Sequence, residues 1–86
     1  MNDELHERVR HEVASLAARC GNAGVQFGDD DIIPELGILD SAAIIELTLW
    51  IEKEFRFVID EDDLTIENLG SVSSIVAYVK ARRRVS

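Results

Sequence analysis

The 86-residue sequence contains little of what a secreted, membrane-spanning or disulfide-bonded protein needs. Its only cysteine, Cys20, has no second thiol for a disulfide within the chain. This fits a reducing compartment and predicts a cytoplasmic protein. Apolar runs extend over only a few residues, too few for a membrane-spanning helix. Residues 1–12 are charged and amphipathic, without the apolar central run of a secretory signal. We therefore expect no membrane association.

Histidine is also scarce, since only His6 and His11 are present. A catalytic serine needs a base beside it, and nothing in the sequence places either histidine near a candidate serine. Together with Cys20, the two histidines are too few for a zinc site. The acid-rich stretches lack the alternating ligands of a calcium-binding loop. The sequence therefore predicts neither an enzyme nor a metal site.

Negative charge is abundant: the net charge is −8, and the acids concentrate in residues 29–67. Such a surface repels nucleic-acid phosphates and attracts basic protein patches, although acidity also serves solubility alone. Arg82, Arg83 and Arg84 form a basic stretch, which we interpret as a solvated helix terminus favoured by the helix dipole. We expect no nucleic-acid partner.

Apolar spacing predicts an all-α fold, a small four-helix bundle in one domain over residues 1–86. Three long helices are expected over residues 3–20, over residues 41–55 and after a cap at Ser71. A short helix is expected over residues 63–69. A long loop, residues 21–40, joins the first two helices and is either functional or contains a short turn. The predicted buried positions are Leu5, Val9, Val13, Leu16, Cys20, Ile44, Leu47, Ile51, Phe55, Val72, Ile75, Val76 and Val79, with Phe27, Ile32, Ile33 and Leu36 holding the loop.

Asp40 and Ser41 lie where the loop becomes the second helix. The ordinary interpretation is an N-cap. A serine there also lies beside free backbone N–H groups and the positive end of the helix dipole, which would stabilise an attached phosphate. After a long loop, Ser41 should be exposed to a modifying enzyme.

The second helix carries more apolar residues than one buried stripe needs. Ala42, Ile45 and Leu49 form a stripe beside the predicted core face, and Trp50 lies further round. Either the helix is buried on two sides, or this stripe docks partners; both can be partly true. In the docking alternative, acidic contacts at the rim come from Glu46, Glu52 and Glu54.

The stretches ELGILDSAAIIELTLWIEKEF and VIDEDDLTIENLGSVSSIVAYV resemble acyl carrier proteins over nearly the whole chain. The resemblance implies that Ser41 carries 4′-phosphopantetheine, transferred from coenzyme A by a phosphopantetheinyl transferase that Asp40 helps to recruit. Cargo would be held as a thioester, and the protein would perform no chemistry itself. Partner enzymes would dock on Ala42, Ile45, Glu46 and Leu49 through surfaces that are typically basic and apolar.

The sequence departs from fatty-acid carriers after the serine, where Ala42 replaces a usual leucine and Ala43 a usual polar residue. Trp50 stands where a small residue is general, and the glycine-to-serine spacing is one residue longer. These departures predict a specialised acyl or aminoacyl carrier served by an acid-activating ligase and a downstream acyltransferase or synthase. Separately, we expect a monomer. The alternatives are an unmodified helical interaction module docking through the apolar stripe, and a domain with a ligand cavity among its helices.

Overall fold

In a computed structural model, the chain folds into helices joined by loops. The structure describes the backbone of residues 3–85 and the side chains of residues 4–82. Its α-helices are α1 (Asp3–Arg19), α2 (Ile33–Leu36), α3 (Ser41–Phe55), α4 (Ile66–Leu69) and α5 (Val72–Val85). A 3-10 turn, Glu61–Asp63, precedes α4. Within residues 3–85 no strand is present, so the all-helical prediction with three long helices is confirmed. None of the described helices is long and apolar enough to cross a bilayer.

The four-helix description is not confirmed, for two local reasons. The loop between α1 and α3 contains α2, which tolerates Pro34 because this residue lies in its first turn. The helix predicted over residues 63–69 is divided into the 3-10 turn and α4. Thr65 divides it by adopting an extended conformation, and its side chain accepts a hydrogen bond from the Asn68 N–H at 3.2 Å. Thr65 is therefore the N-cap of α4.

The core lies where α1 packs against α3 and α5, and α4 packs against α5. Most predicted core positions are buried, including those of α5. In α3 Leu47 and Ile51 are buried as predicted, but Ala43 is also buried, whereas Ile44 and Phe55 are only half-buried. The buried apolar residues are Val9, Val13, Leu16, Ala17, Ile33, Ile38, Leu39, Ala43, Leu47, Ile51, Ile59, Val72, Ile75, Val76 and Val79.

Arg10 fixes the first half of the long loop to α1. Its guanidinium bonds Asp29 Oδ1 at 2.5 Å and the Phe27 carbonyl at 3.1 Å, and it lies 4.7 Å from the centre of the Phe27 ring. The Asp29 carbonyl accepts the Ser73 N–H at 2.9 Å, at the start of α5. The loop therefore bridges two long helices. Leu36, predicted to hold the loop, is instead 39% exposed.

Arg82 is not the solvated residue that the sequence suggested. Its guanidinium lies 5.1 Å from the centre of the Phe57 ring and 3.7 Å from the Asp60 carboxylate. It therefore ties α5 to the segment that follows α3. The side chains of Arg83 and Arg84 lie outside the described residues.

Gly70 joins α4 to α5 at a position with no room for a side chain. Its carbonyl accepts the Ile33 N–H at 2.7 Å, and a Cβ there would collide with the Ile66 carbonyl. We expect Gly70→Ala to lower the free energy of unfolding by about 1–3 kcal/mol, measured by urea denaturation. Gly28→Ala is the control, because its Cβ would make only an ordinary contact, 3.4 Å from Asp31 Oδ2. Equal stability of Gly70→Ala and wild type would contradict this packing.

Tyr78 donates a hydrogen bond to Asp63 at 2.8 Å. Desolvation and then this hydrogen bond raise the pKa of Tyr78 above its ordinary 10.0. The native state therefore holds the phenol proton more tightly than the unfolded chain. This stabilisation is complete below pH 10 and is lost as the pH rises through the raised pKa. Above pH 10 the unfolding free energy of wild type should fall faster than that of Tyr78→Phe in urea titrations. Parallel pH profiles of the unfolding free energy for the two proteins would refute the raised pKa of Tyr78.

Candidate functional site at the start of helix α3

Two buried residues hold the turn before α3 against the core. Ile38 and Leu39 are 5% and 7% exposed, and the Asn22 side-chain amide donates to the Ile38 carbonyl at 3.0 Å. Gly37, which ends α2, has a φ of 69°, in the left-handed region that glycine adopts without strain. The chain therefore arrives at Asp40 along a defined path. The burial of Ile38 and Leu39 was not predicted from the sequence.

Asp40 begins α3 as a side-chain N-cap. Its backbone is extended, its Oδ1 accepts the Ala43 N–H at 2.8 Å, and its carbonyl accepts the Ile44 N–H at 3.0 Å. Ser41 is the first residue of the helix, and both Asp40 and Ser41 are exposed. The predicted cap and the predicted exposure of Ser41 are thus confirmed.

This geometry suits a phosphodiester on the Ser41 oxygen. The amides of Ser41 and Ala42 precede the Ile44 N–H, the first to donate to a carbonyl four residues earlier, so they remain available to an anion at the positive end of the helix dipole. A Cβ added at Gly37 would have no atom within 4 Å, which shows open space beside the turn. Ser41 and its surroundings therefore fit a group attached through a phosphate.

The predicted partner-docking residues share the exposed side of α3. Ala42, Ile45, Glu46 and Leu49 are all exposed, with Ile45 at 60% and Leu49 at 57%. At 3.6 residues per turn, they lie with Ser41 within about 140° of the helix circumference. Burial of this stripe, the first alternative, is therefore wrong.

Two of the departures from fatty-acid carriers belong to the interior rather than to this stripe. Ala43 is 4% exposed and packs in the core. Trp50 is half-buried and meets the Phe55 ring edge-on, with centroids 5.7 Å apart. Of the three residue changes, only Ala42 alters the exposed stripe.

Sequence reasoning missed the partner of Glu46, because it comes from a distant helix. Arg19, the last residue of α1, donates from Nη2 to both carboxylate oxygens of Glu46 at 2.8 Å. These hydrogen bonds, and then the attraction between the two charges, raise the pKa of Arg19. Opposite charges on two predicted helices were the only available signal, and they do not specify a pair.

A cavity of about 180 Å³ lies on another side of α3, against α4. Its lining is mostly apolar and includes Ile44, three residues after Ser41, and Thr48, one turn further on. The complete lining is Pro34, Ile44, Leu47, Thr48, Ile51, Leu64, Thr65, Ile66, Leu69 and Gly70. The fold thus places a small apolar cavity beside the helix that begins at Ser41.

Comparison with known families places this arrangement in context. Residues 7–79 match the family model described as "Phosphopantetheine attachment site". The matched segment runs from α1 into α5 and includes the α2–α3 turn with Asp40 and Ser41. Among curated proteins, none matches the sequence.

Asp40 should stabilise the start of α3 through its side-chain acceptor. We expect Asp40→Ala to lower the free energy of unfolding by about 0.5–2 kcal/mol, because the Ala43 N–H loses its partner. Urea denaturation measures the change. Asp40→Asn is the matched control, since its side-chain oxygen preserves the cap while the charge is removed. A loss in Asp40→Asn as large as that in Asp40→Ala would show that charge, and not capping, is responsible.

Proposed function

We propose that this chain, which belongs to the phosphopantetheine-attachment-site family, is a carrier protein that holds 4′-phosphopantetheine on the Ser41 hydroxyl. The family carries this group covalently, and its members are carriers rather than catalysts. When attached, the group supplies a thiol that holds cargo as a thioester. The observation that carries the proposal is the exposed serine at the first position of α3, directly after the capping Asp40.

The residues around Ser41 have separate roles in this proposal. A phosphopantetheinyl transferase joins the Ser41 oxygen to the phosphopantetheine phosphate of coenzyme A, while the diphosphate bond of coenzyme A breaks. The adenosine nucleotide part leaves with the bridging oxygen, and the transferase takes up the Ser41 proton. Asp40 keeps the helix start in place and contributes the negative charge nearest to Ser41 in the chain, which the transferase recognises. The amides of Ser41 and Ala42 then face the phosphodiester. No residue of the carrier needs to act as a base, because the transferase supplies the chemistry.

Partner enzymes dock beside Ser41 on α3. Carriers of this family interact with phosphopantetheinyl transferases and with synthases or ligases. For this chain we propose an acid-activating ligase and a downstream acyltransferase or synthase. The exposed side chains of Ala42, Ile45 and Leu49 support the proposal, because apolar side chains that lose water on docking contribute most of the contact energy. Glu46, the fourth predicted contact, lies at the edge of this stripe towards α1.

The cargo is proposed to be an amino acid or a short acid of a specialised pathway. Ala42 in place of the usual leucine suggests partners other than the housekeeping fatty-acid enzymes. The cavity supports short cargo on grounds of size: a cavity of about 150 Å³ holds one benzene molecule, and this one is only slightly larger. A long acyl chain would exceed it unless the helices moved apart.

A second candidate is an unmodified interaction module. The exposure of Ile45 and Leu49 favours it, because a docking surface needs no prosthetic group. The measurement that tests modification of Ser41 separates the two.

Co-expression with a phosphopantetheinyl transferase, followed by intact-mass measurement, tests the carrier proposal. We expect wild type to gain the mass of one phosphopantetheine and Ser41→Ala to gain none. Ser15→Ala is the matched control, because Ser15 is also exposed but lies within α1, so this variant should be modified like wild type. An unmodified wild type, or a modified Ser41→Ala, would falsify the proposal. Offering the modified protein to acid-activating ligases and weighing the product would identify the cargo.

A further inference from the structure

We propose that the docking surface of α3, formed by Ala42, Ile45 and Leu49, fits a partner whose contact surface is apolar rather than basic, and that Arg19 determines this preference by masking Glu46. The inference rests on the proposed function, since it concerns the partners that approach Ser41. It departs from the resemblance, which implies partner surfaces that are both basic and apolar. The chain's net charge of −8 alone would not suggest it.

Glu46 is the acid at the edge of the docking surface, and Arg19 occupies both of its oxygens. The two hydrogen bonds are each 2.8 Å long. The Arg19 side chain is 60% exposed and that of Glu46 is 48% exposed, so a docking partner meets the pair and not a free carboxylate. A basic group on a partner would therefore find this charge already compensated.

The other two glutamates predicted for an acidic rim are also engaged within the fold. Glu52 Oε2 accepts the Ile59 N–H at 2.8 Å, after the end of α3. Glu54 forms an ion pair with Arg8 of α1, whose guanidinium also lies over the Phe55 ring. All three carboxylates on α3 thus have a partner within the protein.

The remaining charge on this side of α3 is positive at its far end. Lys53 is exposed and follows Leu49 by one helical turn, on the same side of the helix. Asp40 contributes negative charge only at the serine end. The middle of the surface, around Ile45 and Leu49, is therefore apolar and close to neutral. More distant acids still attract basic proteins, but salt screens exposed charges over a Debye length of about 8 Å. Contact with Ile45 and Leu49 thus selects an apolar surface.

The ion pair of Arg19 with Glu46 can be removed without unfolding the protein, so that its effect on partner choice can be measured. Exposed ion pairs contribute little to stability, so losing Arg19 should leave the fold intact and free the Glu46 carboxylate. A charge at the rim of an interface acts mainly on the association rate and on its salt dependence. Arg19→Gln should therefore make the docking surface better suited to a basic partner.

The test measures kcat/KM for modification of Ser41 by a phosphopantetheinyl transferase with a basic carrier-binding surface. At about 50 mM salt, Arg19→Gln should raise kcat/KM about threefold, and at about 500 mM the gain should disappear. Arg19→Gln/Glu46→Gln should lose the gain. Arg8→Gln is the matched control, because it makes the same change in net charge and also breaks an ion pair between α1 and α3. It should stay within about twofold of wild type. Leu49→Ala should lower kcat/KM about tenfold at both salt concentrations.

Several results would overturn the inference while leaving Ser41 modified. One such result is a kcat/KM of Arg19→Gln equal to that of wild type. Another is a gain in kcat/KM for Arg8→Gln as large as that for Arg19→Gln, which would indicate that net charge alone is responsible. A salt-sensitive loss in Glu46→Gln as large as that in Leu49→Ala would show that Glu46 contacts the partner directly. If the kcat/KM of Leu49→Ala equalled that of wild type, the proposal that this surface docks partners would be refuted. Failure to modify wild type at Ser41 would instead refute the carrier proposal, so the two failures are distinguishable.

Discussion

Burial of Ile38 and Leu39 beneath the turn that precedes α3 determines where Ser41 stands. These side chains hold the loop to the core, and Asp40 then directs the chain into the helix by accepting the Ala43 N–H. After the turn, Leu47 anchors the helix in the same core. Buried residues before and after Ser41 thus fix its position, while Ser41 itself remains exposed. A carrier needs this combination, because the modifying enzyme must reach the serine oxygen and later partners must approach the arm that is attached there.

Helix α3 divides its circumference among three tasks. One side packs in the core through Leu47 and Ile51, and the neighbouring side, with Ile44 and Thr48, joins these two residues in lining the apolar cavity. The third side leaves Ile45 exposed beside Ser41. This division explains why α3 carries more apolar residues than a single buried stripe requires.

Helix α1 shapes the electrostatics of α3 as well as its packing. Arg8 and Arg19 lie eleven positions apart on α1, and each neutralises one glutamate of α3. The net charge of the sequence therefore differs from the local charge that a partner contacts on α3. The protein is acidic as a whole, whereas the middle of the surface beside Ser41 is close to neutral.

Local sequence determined the three long helices and the start of α3 at Asp40 and Ser41, because helix periodicity and N-capping act over three or four residues. Asp40 and Ser41 needed only their neighbours to be recognised, and α3 begins and ends where its pattern predicts. The tertiary structure decided the rest: the burial of Ala43, the division around Thr65, and the pair of Arg19 with Glu46. That pair joins residues 27 positions apart, and nothing local chooses between Glu46 and another acid. Packing of the whole core determines which helices contact each other and at which positions along their axes. These contacts could therefore be identified only in the folded structure.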